Sequence, residues 1–145
     1  MGQINWFAIS GITIILAYLP LYFLLISKWE NKLVRIYSFH ILVTMCWGLF
    51  SFLLGITQNQ ALSFLLWAFS FIPVLFIPVF FLHSTIILIN RENKILLIGA
   101  YLQATFFAIA SLSGELFSGT VLSFNQFYCP KPKTIYYIAV FFWLP

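Results

Sequence analysis

The chain has 145 residues, of which 63% are hydrophobic and only 7% are Asp, Glu, Lys or Arg. A soluble domain carries about a quarter charged residues, so this composition excludes a water-coated globule and calls for a lipid surround. The formal charge of +4 does not mark a nucleic-acid binder, because the basic residues stand singly between apolar runs and form no stripe.

The opening MGQIN lacks the basic stretch of a secretory signal. Apolar runs of about 20 residues read as transmembrane helices. The sequence predicts them over 6–27, 34–56, 61–90 and 95–113, with a fifth over 135–145 cut by the chain end. Eleven helical residues rise only about 16 Å against a hydrocarbon core of about 30 Å, so a C-terminal part is expected beyond this chain. The fold class is all-α: a polytopic membrane helical bundle with four complete transmembrane helices and a truncated fifth. Residues 1–145 form one membrane-embedded unit, without a soluble domain, repeat or low-complexity segment.

Charge sets the expected orientation. Lys28, Lys32, Arg35, Arg91 and Lys94 fall in the first and third loops, with Glu30 and Glu92, whereas the second loop, TQNQ, is uncharged. The positive-inside rule therefore puts loops 28–35 and 91–94 in the cytoplasm and the N-terminus outside. Lys131 and Lys133 break the pattern from a longer outer loop. Trp6, Trp29 and Trp67 fall near span ends, as an aromatic belt requires. Cys46, in a span, and Cys129, in a polar loop, read as free thiols. Ala100, Ala104 and Ala108 recur every four residues and form a stripe that lets a helix approach closely; Ser51 and Gly55 offer a shorter one.

The third run, ending FSFIPVLFIPVFFLHSTIILIN, has 30 residues. As a helix it would rise about 45 Å, more than the bilayer core, so it must tilt, kink or protrude. Pro73 and Pro78 are the expected kinks, and neighbouring helices, hydroxyls or water can satisfy the carbonyls they free. Ser63, Ser70 and Ser84 share a face with Pro73, and that face should look into the bundle.

The outer loop GELFSGTVLSFNQFYCPKPKT is long and apolar for a connection. Leu116, Phe117, Val121, Leu122, Phe124 and Phe127 are expected to fold back as a lid on the bundle mouth or to lie in the interface. Near the other end, Tyr22, His40, His83 and Tyr101 sit on four different spans at similar depth. A polar group in hydrocarbon is costly unless paired, so at least two of them are expected to face the bundle and hydrogen-bond. No carboxylate or thiol shares that depth, so neither a metal nor a cofactor is expected there. All three acids lie outside the spans, and the chain carries no P-loop, metal-spaced cluster or nucleophile with a paired base. This chain alone is therefore expected to be catalytically inert.

Trp47 in MCWGLF, the basic loop and arginine of SKWENKLVRIYSFHILVTMCWGLF, and the third span with Pro78, Leu82 and His83 carry a resemblance. Together they look like the seven-transmembrane N-terminal region found ahead of some bacterial sensor histidine kinases. The resemblance covers the chain as that unit's first four spans and part of the fifth. It implies a transmembrane input region, homodimeric in full-length form, that responds to a small or membrane-borne ligand and feeds a cytoplasmic effector. His40 and His83, inside spans, are not candidates for the phosphorylated histidine. A fragment of a transporter or channel, or a small membrane scaffold, is the alternative reading, and the lipid bilayer is the partner common to all of them.

Overall fold

The computed structural model describes residues 5–91, 93–123 and 127–143. Its elements in chain order are α1 (Trp6–Ile26), α2 (Lys32–Ile56), α3 (Gln60–Leu88), α4 (Lys94–Leu112), β1 (Phe117–Ser123), β2 (Phe127–Pro132) and α5 (Thr134–Trp143). Helices α1 to α4 are long and apolar enough to cross a membrane, and the chain is a multi-pass helical bundle. Each of these four begins after an asparagine. Asn5, Asn31, Asn59 and Asn93 accept from the backbone N–H groups of Ala8, Leu33, Leu62 and Leu96 at 2.9, 2.9, 3.1 and 3.0 Å. These caps satisfy donors that the first helical turn otherwise leaves orphaned. Helix α3 runs unbroken through Pro73 and Pro78, and α1 likewise carries Pro20 within it.

Short connections make sequence neighbours into spatial neighbours: α1 packs on α2, α2 on α3, and α3 on α4. The α1–α2 seam is backbone against backbone. A Cβ on Gly11 would stand 2.5 Å from the Gly48 carbonyl oxygen and 2.6 Å from the Phe52 nitrogen; one on Gly55 would stand 2.5 Å from the Ala8 nitrogen. Small residues win at this seam because lipid tails offer no hydrophobic drive for association, and close packing has to supply it. The α3–α4 seam uses the alanine stripe: Ala100, Ala104 and Ala108 are all buried, and Ser111 Oγ donates to the Ala68 carbonyl at 2.8 Å.

The serine face of α3 is inward, with Ser63, Ser70, Ser84 and Pro73 buried. Its hydroxyls do not serve the carbonyls of Phe69 and Val74, which lose their donors to the prolines. Ser70 donates instead to Trp67 and Ser84 to Phe81, each within its own turn. The main core gathers Phe71, Leu75 and Val79 of α3, Phe107 of α4, Leu116 and Phe117, and Ala139 of α5. Large apolar side chains face outward on α1 (Leu16, Phe23, Leu24) and α4 (Ile95, Leu102, Phe106), as a lipid-facing surface requires.

Segment 114–134 reads as a loop in sequence, yet most of it is an antiparallel hairpin. Thr120 pairs with Pro130, Val121 with Cys129 and Leu122 with Tyr128. The register shifts between Phe117 and Thr120, where Gly119 adopts φ 150°, a conformation that glycine takes without strain. Pro130 and Pro132 remove two donors from β2, which suits a short edge and disfavours a third strand.

Candidate functional site

The polar contacts concentrate at the two ends of α3. At the hairpin end, Trp67 Nε1 donates to the Tyr128 carbonyl at 2.6 Å, and Gln60 Nε2 donates to the Thr120 carbonyl at 3.1 Å. Phe127 stacks on Phe7 of α1 at 5.0 Å, and Phe7 also meets Trp67 at 5.9 Å. Leu116 and Phe117 are buried in the core, whereas Val121 and Leu122 are 39% and 51% exposed. The expected lid residues thus divide. Leu116, Phe117 and Phe127 turn toward the bundle, Val121 and Leu122 turn away, and Phe124 lies outside the described residues. Lys133 ties the hairpin base, donating to the Gly114 carbonyl at 2.9 Å with Glu115 at 3.5 Å.

At the other end, where the basic loops lie, His83 Nδ1 and the Tyr101 hydroxyl are 3.0 Å apart, joining α3 to α4. Their rings meet edge to face at 5.9 Å. His40 lies on the other side of α3. Its Nδ1 is 3.1 Å from the Ile77 carbonyl, a pure acceptor, so Nδ1 carries the proton and donates. The His40 ring also stacks on Tyr37 at 5.6 Å and meets Phe81 at 5.9 Å. Tyr22 contacts the Phe23 ring at 6.4 Å and makes no side-chain hydrogen bond among the described residues. The structure therefore joins His83 to Tyr101, sends His40 to the α3 backbone and leaves Tyr22 on α1.

Beside His83 a cavity of about 260 Å³ opens between α2, α3 and α4. Lys32, Asn90, Asn93 and Lys94 supply its polar lining, and Ile86, Ile87 and Leu97 its apolar walls. The end of α3 shapes it. Asn90 adopts φ 53°, and the N–H groups of Asn90 and Arg91 reach back to Ile87 and Ile86 at 3.1 and 3.3 Å. This left-handed closure, tolerated by asparagine, turns the chain sharply into α4.

Three buried side-chain atoms of the described residues lack a hydrogen-bond partner: Ser51 Oγ, Ser63 Oγ and Gln103 Nε2. Gln103 escaped the sequence reading, although an amide within an apolar span was its visible signal. Tyr101→Phe should loosen the α3–α4 contact without unfolding the bundle. A double-mutant cycle with His83→Phe, read by unfolding in detergent, is expected to give a coupling of about 0.6–1.7 kcal/mol; zero coupling would reduce the pair to mere proximity.

These elements define a multi-pass helical membrane protein with a hairpin cap at one end and a polar cavity at the other. Comparison with protein families, curated proteins and solved structures finds no match for this chain.

Proposed function

We propose that the chain is the membrane-embedded input region of a bacterial signal-transduction protein, feeding a sensor histidine kinase. One observation carries the reading: α3 is hydrogen-bonded to the hairpin at one end through Gln60 and Trp67, and at the other it holds His83 against Tyr101 beside the cavity. A cue that binds the hairpin better in one helix arrangement than in another shifts the equilibrium between them. Helix α3, with Pro73 and Pro78 inside it, carries that shift toward the basic loops, which the positive-inside rule assigns to the cytoplasm. The unpartnered Gln103 amide favours a second reading, a carrier fragment, because polar groups in spans often line a path.

Reading the coding region past residue 145 separates the two. Two further spans followed by a dimerising helix with a phosphorylatable histidine are expected; inverted repeats of these spans would replace the input reading with the carrier. In the full-length protein, His83→Gln should change signalling output while leaving helix content intact. Unchanged output would leave His83 as packing.

A further inference from the structure

We infer that the cavity between α2, α3 and α4 is a binding site for the phosphate-bearing headgroup of an anionic phospholipid. The inference stands apart from the input reading, since either a receptor or a carrier could hold such a lipid.

Three features of the cavity argue for it. Its lining combines two lysines, Lys32 and Lys94, with two asparagines, Asn90 and Asn93, and His83. Lysine ammonium groups supply charge-assisted donors to a phosphate, and the asparagine amides add neutral ones. The remaining wall is apolar, made by Ile86, Ile87 and Leu97. A free anion gains nothing from such a wall, whereas the glycerol and first methylenes of a lipid do. Finally, the site lies at the ends of spans. The cavity takes the last residues of α3 and the first of α4, and Ile95 and Leu88 beside it are 86% and 71% exposed toward the surround. A basic pocket between transmembrane helices at headgroup level is the arrangement that retains acidic lipids.

The connectivity concentrates charge there. Helices α2 and α4 run in the same direction, and their first residues, Lys32 and Lys94, line one cavity. The positive ends of both helix dipoles therefore lie beside the same volume and reinforce the lysines. The cavity and its cations carry the assignment, and the dipoles add to it.

The test uses the chain in nanodiscs of phosphatidylcholine doped with phosphatidylglycerol, with bound lipid counted by native mass spectrometry. Phosphatidylglycerol should be retained preferentially over phosphatidylcholine. Lys32→Gln should weaken that retention about fivefold, the effect of one lysine near an anionic headgroup. Lys32 is exposed, so the variant should fold, and unchanged thermal unfolding in pure phosphatidylcholine checks that it does. Lys28→Gln, in the connection just before α2 but outside the cavity, should leave retention unaltered. Equal losses from Lys28→Gln and Lys32→Gln would overturn the site in favour of diffuse surface attraction. Inorganic phosphate at millimolar concentration should fail to displace the lipid; full displacement would reassign the cavity to a free anion and overturn the lipid claim.

Discussion

Replacing Gly11 by valine is expected to detach α1 from α2 and to cost at least about 3 kcal/mol, the upper range for overpacking a tight contact. The reason lies in what the new side chain meets. At Gly11 the intruding Cβ finds the Gly48 carbonyl at 2.5 Å and the Phe52 backbone at 2.6 Å. Neither is the flexible end of a side chain, so relief requires the helices to move apart. Helix α1 has little to hold it once they do: within it only Ala8 and Gly11 are buried. Gly55→Val should act alike through Ala8. Gly99→Ala is the control, because nothing lies within 4 Å of its position; it should be neutral or stabilise by up to about 1 kcal/mol through helix propensity. Reversible unfolding in mixed micelles measures all three. A Gly11→Val protein as stable as the parent would show that the seam does not hold α1.

Phe117→Ala should cost about 3–5 kcal/mol, as large-to-small changes at buried aromatic positions do. Phe117 is 2% exposed and meets Phe71 edge to face at 5.6 Å and Tyr136 at 5.7 Å. It therefore joins three elements, α3, β1 and α5, and its removal opens a space that rigid helices cannot collapse to fill. Leu122→Ala, on the same strand but half exposed, should change stability by no more than about 0.5 kcal/mol. Proteolysis within the hairpin provides a second readout, and Phe117→Ala should accelerate it while Leu122→Ala does not. Equal, small effects of the two substitutions would mean that the hairpin rests on the bundle without anchoring in it.

The spans were legible because lipid imposes a single solution on an apolar run, a helix with its backbone bonds closed internally. The alanine stripe of α4 could be read too, since Ala100, Ala104 and Ala108 announce close approach by size alone. Of the α1–α2 seam only Gly55 was legible, because Gly11 and Gly48 lie on different spans and find each other only across helices. The hairpin was not legible. Its strands carry Pro130 and Pro132, which argue against a sheet, and its pairing is supported by docking on Phe7, Gln60 and Trp67, partners distant in sequence. The fate of His40 was equally hidden. Depth along a helix is additive and can be counted from the nearest charge, but the direction a ring faces depends on which neighbour flanks it. Here α3 stands between the two histidines, giving the Ile77 carbonyl to one and delivering the other to Tyr101. Gln103 and Pro20 were visible in the sequence and needed only a polar group or a proline inside a span to be given weight.

Because each long helix packs on the one before it, assembly can follow synthesis. Helices α1 and α2 can close their glycine seam as soon as both have entered the bilayer, and α3 can then add to a formed pair. The hairpin obeys a different clock. Its hydrogen bonds to Gln60 join residues 60 apart in sequence, and Phe127 must find Phe7 near the chain's beginning. Such distant contacts come late, since long loops must close before they reward the chain. Capping thus depends on spans already in place, and a protein with a missing or misrouted helix would leave Trp67 Nε1 without its Tyr128 carbonyl.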